Sequence, residues 1–170
     1  AHAHVALLGL GGIMEDPPAL MSAALHLLQA VVAVDFIAVS RLYGTPPWGK
    51  TDQDWFFNSC ALVRTALDPQ ALLDACLSAE RQLKRVRRER WGPRIIDIDV
   101  LTFADQTIDE DGLRIPHPHM HERAFVLLPL LDIAADLVVN GRSVSQWAAR
   151  ADASGIEIVS EDSNWWLDLA

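Results

Sequence analysis

Apolar positions along this chain recur with two periods, and the switches between them outline the elements. Residues 4–9 (His-Val-Ala-Leu-Leu-Gly) read as a first strand. Asp16-Pro17 has the form of a helix start, a capping carboxylate followed by proline at the first helical position. Leu20, Ala24, Leu27, Leu28 and Val31 then recur at helical spacing. Residues 34–43 alternate as a second strand, Thr45-Pro46-Pro47-Trp48-Gly49 ends it, and a loop runs to about Asp54. A third strand covers about 55–65. Asp68-Pro69 opens a second helix, with Leu73, Cys76, Leu77 and Leu83 as its apolar stripe. A strand over 95–103 follows, then a turn-rich stretch to Pro118, a helix near 122–134 and a short one near 143–150. The order β-α-β-β-α-β predicts an α+β, ferredoxin-like antiparallel sheet with both helices on one face. Additional C-terminal helices and strands would cover the other face, giving three αβα layers. One domain is expected over 1–150, with 151–170 as an acidic tail, docked or disordered, that carries Trp165-Trp166.

The last strand of that plan carries the most specific chemistry. Residues 95–101 (Ile-Ile-Asp-Ile-Asp-Val-Leu) are β-branched and apolar enough for a buried strand. Side chains alternate faces along a strand, so Asp97 and Asp99 point the same way. Two carboxylates on one face of a buried strand repel each other and lose hydration. A cation between them resolves both costs. Mg²⁺ suits the position because it takes one or two carboxylates and completes its octahedron with water and phosphate oxygens.

Charge is distributed in the same sense. The chain has 170 residues and a formal charge of −9, with 14 Lys and Arg. Seven of these (Arg81, Lys84, Arg85, Arg87, Arg88, Arg90, Arg94) fall within residues 81–94. Guanidinium groups match phosphate oxygens in a bidentate way. Arginines beside a paired-carboxylate strand therefore read as a polyphosphate site on an acidic body. That net charge argues against general nucleic-acid or anionic-membrane binding. No stretch approaches the ~18 apolar residues of a spanning helix, and a cytoplasmic protein with Cys60 and Cys76 as buried free thiols is expected.

Other features are less specific. Glu80 continues the inward stripe of the second helix, or pairs with Arg81 or Lys84 at its boundary. Phe56 and Asn58 share a strand face, where a ring can stack on a flat heterocycle and an amide can read its edge. A core ring beside a satisfied amide is the commoner meaning of that pattern. His117, His119 and His121 alternate in an irregular loop without chelating geometry, so zinc is not expected. Gly9-Leu10-Gly11-Gly12 lacks the features of a nucleotide-binding glycine loop and reads as a turn after the first strand.

Four blocks in order resemble the 6-hydroxymethyl-7,8-dihydropterin pyrophosphokinase family over residues 5 to 147. They are Ser40-Arg-Leu-Tyr-Gly-Thr-Pro-Pro-Trp-Gly, Asp52-Gln53 with Phe56-Phe-Asn58, Arg90-Trp-Gly-Pro-Arg-Ile-Ile-Asp-Ile-Asp99, and Ile115-Pro-His-Pro with Glu122-Arg-Ala-Phe-Val-Leu-Leu-Pro-Leu. The resemblance implies transfer of diphosphate from ATP to the pterin hydroxymethyl oxygen, with release of AMP, in folate biosynthesis. It implies Asp97 and Asp99 as ligands of two Mg²⁺ ions, and Arg85 and Arg87 as catalytic arginines on a mobile loop. It implies Phe56 and Phe125 around the pterin, Asn58 on its edge, and Thr45, Pro46 and Trp48 nearby. Glu80, Arg87, Arg90, Trp91, Arg94, Ile98, His117 and Arg123 would bind ATP. The partners implied are these two small molecules, with no nucleic acid or membrane, and a monomer is expected.

The resemblance departs at the first strand, where the family usually has Gly-Ser-Asn and this chain has Gly9-Leu10-Gly11. Loss of a hydroxyl and an amide there would alter pterin affinity. A nucleotide-binding paralogue with weak pterin turnover is the alternative that follows. An RNA-binding module using the arginine run leaves Asp97 and Asp99 without a role.

Overall fold

The computed structural model describes residues 3–14, 18–47, 54–90 and 95–167, except for the side chains of 86–90 and of Ile95. Seven elements form the expected frame: β1 (His4–Met14), α1 (Ala19–Gln29), β2 (Val34–Val39), β3 (Leu42–Thr45), β4 (Trp55–Thr65), α2 (Pro69–Arg90) and β5 (Ile95–Phe103). At the start of α2 the Asp68 carboxylate accepts from the Ala71 backbone N–H at 2.8 Å, as the Asp-Pro signal predicts. The corresponding Asp16-Pro17 signal lies outside the described residues.

Three elements differ from expectation. The glycine run is not a turn: β1 continues through it to Met14, paired with β4 on one side and β5 on the other. Hydrogen bonding along both edges outweighs glycine's poor strand propensity. The single strand expected over 34–43 is two, because the backbone leaves the ladder at Ser40 and Arg41. Ser40 N–H donates to the Cys60 carbonyl at 2.8 Å, while Arg41 N–H donates to the Asp132 carboxylate at 3.0 Å. Arg85 and Arg87, expected on a loop, lie on the last turns of α2. Arg, Lys, Gln and Glu are good helix formers, and no Gly or Pro intervenes before Gly92.

The sheet runs β10 (Glu157–Ser160), β3, β4, β1, β5, with β2 also paired to β4. Every described pairing in it is antiparallel. Taken as one interrupted strand, β2 and β3 give the ferredoxin-like order. Alternation along β1 divides the core: Ala6, Leu8 and Leu10 face α1 and α2, whereas Leu7 joins Cys60 and Leu101 under the later helices. Those helices are α3 (Ala124–Ala134) and α4 (Val144–Arg150), and they complete the third layer. Between β5 and α3 lie the hairpin of β6 (Ile108–Glu110) with β7 (Leu113–Ile115) and a 3-10 turn over Met120–Glu122, and between α3 and α4 lies the hairpin of β8 (Val138–Val139) with β9 (Arg142–Ser143). Ser143 and Gln146 form a capping box on α4.

Beyond residue 150 the chain docks. β10 (Glu157–Ser160) pairs with β3. Trp165 and Trp166 are buried on the α1 side of the sheet. The Trp165 indole N–H donates to the Ser40 carbonyl at 3.0 Å, and the Ser22 hydroxyl donates to the Trp166 carbonyl. Cys60 and Cys76 are buried free thiols, the latter pushed up to about 12 by burial. Among the described residues no helix is long and apolar enough to cross a membrane.

Candidate active site

Strand register assembles the site on the α3 face of the sheet. One row across the strands reads Tyr43, Asn58, Gly11, Asp97, and the next reads Cys60, Gly9, Asp99. Residues directly opposite in antiparallel strands share a face. The two glycines therefore lie between the amide side and the carboxylate side, and leave the sheet bare where neighbours carry side chains. A Cβ on Gly11 would come within 2.7 Å of the Asn58 amide nitrogen. A cavity of about 340 Å³ occupies this space, lined among others by Phe56, Asn58, Asp97, Asp99, Arg123 and Phe125. A second cavity of about 370 Å³ lies across Asp99, with His117, Arg114, Leu113 and Leu73 in its wall. Asp99 belongs to both.

The electrostatics follow from that position. Burial pushes the Asp99 carboxyl above its ordinary range, and Asp97 adds to the rise while His117 and Arg123 oppose it. His117 Nε2 stands 4.0 Å from Asp99 Oδ2. Burial holds the His117 imidazole below its usual value in spite of that neighbour. Glu80 is also raised, first by burial and then by the two aspartates, against the hydrogen bond it receives from the backbone. Its Oε2 accepts from Ile98 N–H at 3.1 Å, which fastens α2 to the outer edge of β5. A cation beside Asp97 and Asp99 would relieve the repulsion between these two carboxylates.

The other expected residues fall as follows. Phe56 and Phe125 meet edge to face with centroids 5.1 Å apart. A flat ring seated between them would need them to part to about 7 Å, twice a ~3.5 Å van der Waals contact. Arg123 lies over the Phe125 ring, 5.8 Å from its centroid. Thr45 pairs with Phe56 at the end of β3, and Pro46 follows. Ile98 is buried, so only its backbone is available beside the site. Arg85 is exposed on α2. Trp48, Trp91 and Arg94 lie outside the described residues, as do the side chains of Arg87 and Arg90. Leu10 lines the cavity between Gly9 and Gly11, although its side chain is buried in the core of the opposite layer.

Sequence reasoning did not place Cys60 or Val126 in the cavity wall. The first was legible as the next alternate position after Phe56 and Asn58. It also passed over Asp132, which receives hydrogen bonds from Arg41 and Tyr43. A partnership 91 residues apart has no local signature.

An aromatic, amide and paired-carboxylate cleft on a ferredoxin-like sheet defines a small-molecule enzyme site. Residues 7–135 match the family model described as 7,8-dihydro-6-hydroxymethylpterin-pyrophosphokinase. The chain is 48% identical over 154 residues to a 2-amino-4-hydroxy-6-hydroxymethyldihydropteridine pyrophosphokinase of Methylorubrum extorquens, covering 91% of this chain and 98% of that one. A Pseudomonas aeruginosa protein of the same name is 42% identical over 149 residues, covering 87% and 92%. Wild-type Plasmodium falciparum HPPK-DHPS superimposes with a TM-score of 0.69 at 19% identity, over 88% of this chain and 45% of that longer one, a likeness of fold. The chain belongs to the 7,8-dihydro-6-hydroxymethylpterin-pyrophosphokinase family, a family of diphosphotransferases.

Proposed function

We propose that this chain transfers the β,γ-diphosphate of ATP to the hydroxymethyl oxygen of 6-hydroxymethyl-7,8-dihydropterin, releasing AMP. The observation that carries this reading is Asp99, on the floor of one cavity and in the wall of the next. Two substrates seated in those cavities would meet at the carboxylates. Phe56, Asn58 and Phe125 suit the pterin: two apolar faces and one edge-reading amide. The second cavity, bounded by His117 and Arg114, suits the nucleotide.

Asp97 and Asp99 fit Mg²⁺. They are hard oxygen donors on one strand face, unneutralised by any arginine within salt-bridge distance among the described residues. No group of three or more metal-ligating side chains occurs among the described residues. Water and phosphate oxygens would therefore complete the coordination, as Mg²⁺ prefers. When bound, the metal supplies charge neutralisation and alignment for in-line displacement. In that displacement the substrate oxygen forms a bond to the β-phosphorus, the bond from β-phosphorus to the α,β-bridging oxygen breaks, and the hydroxyl proton goes to solvent. Arg123 lies close enough to neutralise developing phosphate charge. Arg85 and Arg87, carried on the last turns of α2, are assigned the same task. Positioning and charge account for such reactions more than covalent help does.

AMP formation from ATP, measured with and without added hydroxymethyl-dihydropterin in Mg²⁺, tests the proposal. Pterin-dependent AMP is expected. ATP binding without it would support a paralogue that has lost the transfer.

A further inference from the structure

The far half of α3 is held to the sheet by a network that the reaction as described does not use. The Asp132 carboxylate accepts from the Arg41 backbone N–H at 3.0 Å, from its Nε at 3.2 and 3.3 Å, and from its Nη2 at 3.0 Å. The Tyr43 hydroxyl donates to the same carboxylate, 3.0 and 3.1 Å from its two oxygens. The Arg41 guanidinium also lies over the Tyr43 ring, 5.6 Å from its centroid. Asp132 raises the Arg41 pKa further, so the guanidinium stays charged. Burial, reinforced by Asp132, pushes the Tyr43 phenol up to about 12, so it remains a donor at neutral pH. An ion pair that is only partly buried adds little net stability, and fixing one geometry is the better-attested use of such a network.

The geometry in question is that of the first cavity. Phe125 and Asp132 are seven residues apart on α3, so they lie on one face of the helix, about 10 Å apart along its axis. Tyr43 pairs in register with Asn58, and Thr45 pairs with Phe56. One side of the cavity is therefore carried by the β3–β4 pair and the other by α3, and Asp132 joins the two. We infer that Asp132, with Arg41 and Tyr43, is a positioning network that sets the spacing of Phe56 and Phe125 and thereby the affinity for the flat heterocyclic substrate, which it does not touch. This rests on the assignment of that cavity to the pterin.

Asp132→Asn and Tyr43→Phe test it, the second keeping the ring and removing one hydroxyl. Steady-state constants for both substrates, with dissociation constants for the pterin and a non-hydrolysable ATP analogue, are compared with wild type. The expected result is a pterin KM and Kd raised about tenfold, within what a misplacement of roughly 1 Å can cost. The ATP-analogue Kd should stay within about twofold, and Asp132→Glu should recover part of the pterin affinity. Equal losses for both ligands would overturn the inference. So would unchanged affinities with only a lowered unfolding midpoint, because the network would then be structural. If wild type itself fails to bind pterin, the cavity assignment falls, and this inference with it.

Discussion

Gly11 and Asp99 show at the residue scale how the site depends on what is missing as much as on what is present. A methyl group on Gly11 would press on the Asn58 amide at 2.7 Å, whereas one on Gly9 would meet the flexible Leu101 side chain at 3.2 Å. Gly11→Ala should therefore raise the pterin KM by roughly tenfold, the scale of one well-made hydrogen bond, and Gly9→Ala should change it less. Comparison of the two KM values checks this. Asp99 carries the opposite cost. Its pKa is raised in the fold, so the folded state binds the proton more tightly than the unfolded chain does. The resulting penalty is absent below the ordinary Asp value of about 3.9 and is fully present once pH exceeds the raised folded value. Metal-free Asp99→Asn should accordingly resist urea better than wild type at pH 7, and the gap should close on acidification. Urea midpoints measured from pH 4 to 7 decide it, and equal midpoints at pH 7 would contradict the desolvation account.

Among the elements, the sheet was more legible than what leans on it. β4 and β5 were legible because strands covered on both faces read as short runs rich in apolar residues: Phe57, Cys60, Ala61 and Val63 are buried in the first, and Ile96, Ile98, Val100 and Leu101 in the second. The extension of β1 through its glycines was not legible, since the signal for a turn and for a strand floor is the same residue. The break at Ser40-Arg41 was hidden for another reason: its hydrogen-bond partners come from β4 and α3, far along the chain. The expected loop over the arginines ignored their helix propensity, and α2 continues to Arg90. The C-terminal segment, undecided from composition, is fixed by its two indoles. Trp165 is 7% exposed and hydrogen-bonded to Ser40 at the β2–β3 break. Trp165→Ala should lower stability by about 3–5 kcal/mol, as large buried aromatics do. Chemical denaturation measures that loss, and a cost below about 1 kcal/mol would mean the segment is not part of the core.

For the molecule as a whole, an acidic body of net charge −9 must hold a polyanionic nucleotide. Divalent metal at Asp97 and Asp99, together with the basic end of α2, would resolve this, and the metal is the central proposal. The most direct test is a crystal structure with a non-hydrolysable ATP analogue and excess Mg²⁺. Magnesium within about 2.0–2.1 Å of carboxylate oxygens on both Asp97 and Asp99, and of the analogue's phosphates, is the predicted result. Phosphates bound with no ion on either aspartate, or with the ion held elsewhere, would contradict it.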